Sequence, residues 1–186
     1  LRRGVALDFL HIDLVGHDGF VDVSRVYNYL VDTFTFNYTP RFYHFDGLPI
    51  IKYLKENVKS STRQIALKII FYRLAQMLAE EESYSAVTTG EALSQKSSQT
   101  LPSLAMIQGQ SSLLTIRPLI SMDKLDIIDV ARRIGTFAFS QQVKEYCNVS
   151  DGPVTALPKA EDLEDFPDLS SIVDEVYASR KLYEVL

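Results

Sequence analysis

A glycine-led polar segment at residues 89–100, TGEALSQKSSQT, offers the clearest chemistry in the chain. Gly90 follows an apolar run, and because glycine has no Cβ the backbone there can approach a ligand closely. The neutral side chains behind it, such as Gln99, can orient a base or a ribose without charge. The same composition also suits a polar loop in which Ser97 or Ser98 caps a helix from Gln99, and on composition alone that loop is the commoner case.

Two further positions have side chains suited to chemistry. Arg117 closes an apolar run before Pro118, and its guanidinium suits either a phosphate or a structural carboxylate partner. Cys147 is the only cysteine and lies between a polar stretch and a Gly-Pro break. A reactive thiol needs a depressed pKa, for which Lys144 is a local candidate, whereas an isolated cysteine is more often an inert buried residue. Both positions therefore keep two interpretations.

The remaining residue types exclude several classes of site. The histidines His11, His17 and His44 lack the spacing of metal ligands, and a single cysteine does not suit zinc or iron–sulfur ligation. No Walker lysine loop and no Gly-x-Ser-x-Gly elbow occur in the sequence. We therefore expect no protein metal site, and a reducing cytoplasm as the compartment.

Length and charge limit the function further. A chain of 186 residues with 46% hydrophobic residues suits one domain with its own core, and no apolar run is long enough to span a bilayer. We therefore expect no membrane partner. The net charge of −5 argues against a long RNA being held by this chain's own phosphate contacts. An RNA substrate is therefore expected to be gripped mainly by a domain outside this chain.

Strands and helices alternate along most of the chain. The predicted strands are residues 5–14, 40–45, 84–88 and 113–116, and the predicted helices are residues 22–36, 48–58, 63–82 and 122–134, the last capped by Ser121 and ended by Gly135. Strands separated by helices of this length indicate an α/β fold with a parallel sheet flanked by helices. Ligands of such sheets bind beyond the carboxyl ends of the strands.

The composition changes after Ser150. Asp151-Gly152-Pro153 and later prolines break regular structure, acidic residues become frequent, and a last helix is predicted near residues 169–186. We therefore divide the chain into a domain at residues 1–149 and a Pro- and acid-rich segment with a C-terminal helix at residues 150–186. That C-terminal helical tail is either packed on the domain or a partly mobile arm.

Four segments, in this order and spacing, carry a family resemblance: TGEALSQKSSQTL, RPLISMDKLDII, DVARRIGT and EYC. They resemble the nucleotide-binding domain of tRNA 4-thiouridine synthetases, also called thiamine-biosynthesis sulfurtransferases, which are PP-loop ATP pyrophosphatases. The resemblance is strong over residues 68–147 and weaker over residues 1–46. It implies a Rossmann-like PP-loop fold, an adenine-nucleotide α-hydrolase-like domain, for residues 1–149.

The resemblance also implies an activity. ATP, accompanied by Mg²⁺, adenylates the C4 oxygen of a uridine in tRNA, and a cysteine persulfide then delivers sulfur and displaces AMP. The persulfide comes from a cysteine desulfurase or another donor, and the same sulfur can serve thiamine thiazole synthesis. The chain is thus expected to be part of a tRNA uridine 4-sulfurtransferase.

The family's site residues carry over at six positions. The resemblance gives Cys147 the catalytic role in persulfide transfer, and it gives ATP contacts to His11, Ile12, Lys68, Gly90 and Gln99. Arg73 matches another basic position of the same helix as Lys68, but it lies about 140° around that helix. We therefore interpret Arg73 as structural or RNA-facing.

The departures from the family pattern matter as well. The phosphate-binding Ser-Gly-Gly-x-Asp-Ser loop and the strand before it are not found, so we expect this chain to begin after the pyrophosphate site and to be inactive alone. No second cysteine accompanies Cys147, so an external thiol or reductant must resolve its persulfide.

Two other functions stay open, and so does the oligomeric state. One is another PP-loop enzyme, such as a different tRNA thiolase or an amide-forming synthetase. The other is a non-catalytic nucleotide- or RNA-binding remnant without the phosphate loop. A broad α/β surface with this many aromatic residues is also compatible with a homodimer.

Overall fold

The structure is a computed structural model that describes residues 4–93, 96–143 and 149–183. Its strands are β1 (Phe9–Asp13), β2 (Phe42–Asp46), β3 (Ala86–Thr88), β4 (Leu114–Ile116) and β5 (Lys181–Tyr183). Its helices are α1 (His17–Phe34), α2 (Leu48–Asn57), α3 (Arg63–Glu82), α4 (Leu101–Gln108), α5 (Lys124–Arg133), α6 (Phe137–Ser140), α7 (Ala160–Glu164) and α8 (Ser170–Ala178). No helix in these ranges is both long and apolar enough to cross a membrane.

The strands form two sheets, and both contain parallel pairs. In the first sheet β1 pairs in parallel with β2, and β5 pairs antiparallel with the other edge of β2. In the second sheet β3 pairs in parallel with β4. Helices connect the parallel strands, as expected because parallel strands need a crossover connection. The predicted α/β class with parallel strands flanked by helices is confirmed, and the described strands form two separate sheets.

Helix α3 forms the centre of the core. This helix is buried on almost every side. Its own buried residues include Ile65, Ala66, Leu67, Ile69, Ile70, Tyr72, Leu74, Leu78 and Ala79. Phe45 of β2, Ile50 and Leu54 of α2, and Ile172 of α8 pack into the same cluster. Because each fully buried aliphatic side chain contributes roughly 1.5–3 kcal/mol, this helix is held by its neighbours more than by its own propensity.

The C-terminal prediction needs a correction. The predicted helix at 169–186 is wrong in length, because α8 ends at Ala178 and residues 181–183 form β5. The free edge of β2 provides the reason: Tyr183 pairs with Phe42, and its ring packs on Phe20 at 4.5 Å between centroids. Since Ile172 belongs to the main core, the described tail is a packed element rather than an arm. The division at residues 149/150 stays a prediction.

Helix starts also differ from the predictions. The helix predicted from Gln99 begins at Leu101, because Thr100 is extended and its Oγ1 accepts a hydrogen bond from the Ser103 N–H. The helix predicted from residue 122 begins at Lys124, and Ser121 lies in the turn before it. The predicted end at Gly135 is confirmed, since Gly135 has a φ of +81° and follows Ile134, the C-cap of α5.

Candidate functional site

An open cavity separates the two sheets. It has a volume of about 400 Å³ and is walled by residues 6–12 on the β1 side and by residues 86–89 on the β3 side. Helix α3 forms its floor with Lys68, Phe71, Tyr72, Ala75, Leu78 and Ala79. In the described part of the chain β1 pairs only with β2 and β3 only with β4, so each has one edge without a partner strand. We call this space the intersheet cavity.

A buried carboxylate lies at the end of the intersheet cavity that faces the carboxyl end of β3. Glu91 is 2% exposed. Its Oε2 accepts hydrogen bonds from Tyr72 Oη at 2.8 Å, Thr89 Oγ1 at 3.1 Å and Arg117 Nε at 2.9 Å. Its Oε1 lies 3.4 Å from Lys68 Nζ. We call these five residues the Glu91 cluster.

The Glu91 cluster contains two cations and one carboxylate. Burial raises the pKa of Glu91, but the hydrogen bond from Tyr72 and the charge of Lys68, with Arg117 and Thr89 adding to them, lower it below its ordinary value. Burial, followed by the hydrogen bond to Glu91, raises the pKa of Tyr72 to about 12. The carboxylate is therefore ionised, the tyrosine is a neutral donor, and one positive charge is left uncompensated within the cluster.

The opposite end of the intersheet cavity holds a second buried carboxylate. Asp8 accepts hydrogen bonds from the Arg41 backbone N–H at 2.7 Å and Nε at 2.9 Å, and from the hydroxyls of Tyr38 and Tyr84. Arg41 Nη1 also donates to Glu82 at 2.7 Å. Burial raises the pKa of Asp8, but the hydrogen bonds from both tyrosines and from Arg41 lower it below its ordinary value. We call these residues the Asp8 cluster.

The predicted contacts on β1, His11 and Ile12, both line the intersheet cavity. The His11 ring, however, is engaged within the protein, because its Nδ1 lies 3.3 Å from His44 Nδ1 and its ring stacks near Phe42. Burial, with the charge of His44 adding to it and that of Asp13 opposing it, lowers the pKa of His11 to about 4. One imidazole of the pair must donate and the other accept, which requires a neutral partner.

Lys68, Gly90 and Gln99 lie together around the same turn. Lys68 lines the intersheet cavity, and Gly90 lies between Thr89 and Glu91, which also line it. Among the described residues, a Cβ added at Gly90 has Leu119 Cδ1 as its one neighbour within 4 Å, at 4.0 Å, so these residues leave the backbone accessible. Gln99 Oε1 accepts a hydrogen bond from the Ala92 N–H at 3.3 Å, which ties the Gln99 side chain to the turn. Their roles in ATP binding stay predictions.

The two arginines lie apart from each other. Arg117 takes the structural alternative, pairing with Glu91. Arg73 lines a separate cavity of about 360 Å³, together with Asp168, Gln110 and Phe166. Lys68 and Arg73 therefore face different spaces, in agreement with their positions around α3. Cys147 lies outside the described residues, and its role stays a prediction.

Sequence reasoning did not identify the central acid of the site. Glu91 stands inside the quoted segment TGEAL, and Tyr72 follows Lys68 by one helical turn. An acid that interrupts apolar residues after a strand is a usable signal, because charges are seldom buried without partners. Among residues 4–93, 96–143 and 149–183, no group of three or more His, Cys, Asp or Glu side chains could hold a metal ion.

Comparisons with known proteins show which chains this one is similar to. The tRNA sulfurtransferase of Colwellia psychrerythraea is 34% identical over all of this chain and 39% of its own length. That of Desulfurococcus amylolyticus is 38% identical over 87% of this chain and 34% of its own length. The crystal structure of a 4-thiouridine synthetase–RNA complex with bound ATP matches with a TM-score of 0.86 and 26% identity, over 98% of this chain and 50% of that chain.

A family model decides the membership. The model of the thiamine biosynthesis protein (ThiI) family matches residues 1–168. The chain belongs to the ThiI family. It spans about two fifths of the length of the curated relatives it matches, since it covers 39% of the Colwellia protein. The PP-loop, Rossmann-like class expected for this member of the ThiI family is confirmed by the structural match.

Proposed function

We propose that this chain is the ATP-binding part of a tRNA sulfurtransferase that forms 4-thiouridine. The observation that carries the proposal is the Glu91 cluster, whose surplus positive charge faces the intersheet cavity near the carboxyl end of β3. Support comes from the relatives named tRNA sulfurtransferase and from the similar 4-thiouridine synthetase that was crystallised with RNA and ATP. A cytoplasmic location follows from this proposal, because tRNA modification takes place where tRNA is found.

The proposed ATP contacts are of two kinds: a cation contacts the phosphates, and neutral groups contact the rest of the nucleotide. Lys68 supplies a cation for a phosphate oxygen. Gly90 leaves room for the nucleotide against the backbone, and the Gln99 amide nitrogen can donate to the adenine or the ribose. His11 and Ile12 contribute the wall of β1. Because the His11 ring is engaged with His44, we assign the contact at this position to the edge of the strand.

The proposed reaction has two transfers. In the first, the C4 oxygen of uridine attacks the α-phosphorus of ATP, the bond to the β-phosphate breaks, and pyrophosphate leaves. In the second, the terminal sulfur of a persulfide on Cys147 attacks C4, and the C4–O bond breaks with AMP leaving. An external thiol then reduces the remaining sulfur–sulfur bond and releases the thiouridine. A cysteine desulfurase is the proposed persulfide donor.

Other parts of the complete protein complement this chain. The net charge of −5 supports a separate domain that grips the tRNA. Mg²⁺ is proposed to arrive with the ATP phosphates, since the described residues offer no cluster of three ligands. We also expect the 186-residue chain alone to be inactive, because the family's Ser-Gly-Gly-x-Asp-Ser loop is not among its residues. Pyrophosphate release by the purified chain, dependent on uridine in RNA, contradicts that expectation.

A deletion strain tests the function. Total tRNA from a strain lacking the gene is digested to nucleosides and analysed by mass spectrometry, with the wild-type gene and a Cys147→Ser gene as complements. We expect 4-thiouridine to be lost in the deletion, restored by the wild type, and not restored by Cys147→Ser. Loss of a different thiolated nucleoside indicates another PP-loop thiolase. Unchanged nucleosides indicate a non-catalytic protein or an amide-forming synthetase.

A further inference from the structure

We infer that Glu91 is a positioning residue: its carboxylate holds the Lys68 ammonium at the wall of the intersheet cavity and gives it up to a phosphate of the bound nucleotide. The inference rests on the proposed ATP binding. It concerns a residue that contacts no ligand itself and acts through another side chain.

The two oxygens of Glu91 are held very differently. Oε2 accepts three hydrogen bonds, from Tyr72, Thr89 and Arg117. Oε1 accepts no hydrogen bond in the described part of the protein, although it is buried. Its one cationic neighbour there is Lys68 Nζ, at 3.4 Å. The carboxylate is thus fixed through one oxygen and binds Lys68 loosely through the other.

Arg117 is the cation that stays in place. Besides its contact with Glu91, its Nη2 donates to Tyr72 Oη at 2.8 Å and to Gln108 Oε1 at 3.2 Å. Because the Tyr72 hydroxyl both donates to Glu91 and accepts from Arg117, these three groups form a closed set. Glu91 therefore keeps a charged partner when Lys68 moves away, which avoids leaving a buried charge unpaired.

Lys68 is the cation that can move. Its side chain is 26% exposed, compared with 15% for Arg117, and it lines the intersheet cavity. An ammonium on a flexible four-carbon stem can exchange a 3.4 Å contact for a shorter charge-assisted bond to phosphate. In the free protein Glu91 keeps this stem on the wall of the cavity, so that less conformational freedom is lost when the phosphate binds.

Binding measurements on Glu91→Gln distinguish positioning from simple charge. Removing the carboxylate makes the cluster more positive, so Coulomb attraction alone predicts tighter ATP binding. Loss of positioning predicts weaker binding. ATP dissociation constants are measured by calorimetry for the protein expressed from its complete coding region, as wild type, Glu91→Gln, Lys68→Met and the double variant. We expect about tenfold weaker binding in Glu91→Gln and about thirtyfold in Lys68→Met.

The double variant supplies the decisive comparison. If Glu91 acts through Lys68, adding Glu91→Gln to Lys68→Met changes the dissociation constant by less than about twofold. Additive effects, or binding by Glu91→Gln that is as tight as wild type, overturn the inference. Wild-type protein that binds no ATP refutes the proposed function as well. ATP binding that Lys68→Met leaves unchanged refutes this inference and the Lys68 assignment alone.

A second variant, Tyr72→Phe, tests the inference even if Glu91→Gln does not fold. Tyr72→Phe keeps the ring and removes the hydroxyl that joins Glu91 to Arg117. We expect it to keep a cooperative thermal unfolding transition and to bind ATP about threefold more weakly, with no further loss in the Lys68→Met background. Wild-type affinity in Tyr72→Phe, or the same threefold loss without Lys68, overturns the inference.

Discussion

The two ends of the intersheet cavity are built alike but differ in charge. At each end a buried carboxylate accepts hydrogen bonds from tyrosine and arginine side chains: Asp8 from Tyr84 and Arg41, and Glu91 from Tyr72 and Arg117. At the Asp8 end Arg41 is shared with Glu82, so two acids surround one base. At the Glu91 end Lys68 joins Arg117, so two bases surround one acid.

The difference shows how one kind of buried network serves two purposes. In the Asp8 cluster the charge of Arg41 is balanced by two carboxylates, those of Asp8 and Glu82. This arrangement suits a structural link between β1, β2 and the end of α3. In the Glu91 cluster one cation exceeds what the carboxylate needs, and it faces open space. Because an uncompensated cation at a cavity wall attracts anions, the charges of the described residues favour the proposed phosphate site at the Glu91 end over the Asp8 end.

The largest expected effect is on ATP affinity, which should depend on the Glu91 end of the intersheet cavity and not on the Asp8 end. Lys68→Met removes a charge-assisted contact of about 2 kcal/mol, which corresponds to roughly thirtyfold weaker ATP binding. Arg41→Met is the matched control, because it removes a long cationic side chain from the Asp8 end. We expect it to change ATP affinity by less than about twofold. Equal losses in the two variants, measured by calorimetry, contradict the assignment of phosphate to one end.

The fold was more predictable than the site. The first four strands and helices α1, α2 and α3 are indicated by local features of the sequence, namely apolar runs, helical spacing, and residues that cap or break helices. Strand β5 was missed because its three residues show no pattern of their own and depend on the free edge of β2. Helix α1 begins at His17 rather than residue 22, since Asp13 Oδ1 accepts hydrogen bonds from the Val15 and Gly16 N–H groups and turns the chain early.

In the site, as in the fold, features that depend on nearby residues were predictable and features that depend on residues distant in sequence were not. Lys68 and Gly90 could be placed from a family resemblance and from glycine's lack of a Cβ. The Glu91 network could not, because its partners Tyr72 and Arg117 lie 19 and 26 residues away along the chain. The choice between two uses of Arg117 likewise depended on which carboxylate the fold brought within 2.9 Å.

The next effect concerns stability at the Asp8 end. Asp8→Asn leaves the donors of Arg41 and Tyr84 facing an amide, which should lower the free energy of unfolding by about 2 kcal/mol while ATP affinity stays unchanged. Urea unfolding measures the loss. Asp165→Asn is the control, since its partner Lys59 is exposed, and we expect it to leave the unfolding midpoint unchanged. A wild-type urea unfolding midpoint in Asp8→Asn contradicts a structural role for the Asp8 cluster.

Acid titration separates the histidine pair from both carboxylates. The pKa of His11 is about 4, against 6.5 for the ordinary imidazole. Between these values the unfolded chain binds a proton that the folded chain does not. The stability that a neutral His11 contributes is therefore complete above pH 6.5 and decreases as the pH drops towards 4. His11→Gln should flatten this part of the profile of unfolding free energy, and an unchanged profile contradicts the burial of a neutral imidazole.

At still lower pH, protonation of the carboxylates of Asp8 and Glu91 lowers the free energy of unfolding. The pKa values of Asp8 and Glu91 are both lowered, so the stability they contribute is present above their ordinary values and is lost as the pH falls through the lowered ones. Asp8→Asn should remove part of this acid loss without affecting the change above pH 4, which belongs to the His11–His44 pair, since burial lowers the pKa of both.

The smallest expected effect tests the redundancy of the Asp8 cluster. Tyr38→Phe removes one hydroxyl donor, while Tyr84 and Arg41 keep their contacts with Asp8. We expect a loss of about 0.5–1 kcal/mol in the free energy of unfolding and no change in ATP affinity. A loss as large as that of Asp8→Asn shows that Tyr38 carries most of this network.

Hydrogen–deuterium exchange with and without ATP tests the central assignment most directly. In the protein expressed from its complete coding region, ATP should slow exchange of the backbone amides at residues 88–93, around Gly90 and Glu91. Exchange at residues 38–43, in the Asp8 cluster, should stay the same. Protection confined to residues 38–43, or no protection at residues 88–93 at saturating ATP, contradicts the placement of the nucleotide at the Glu91 end.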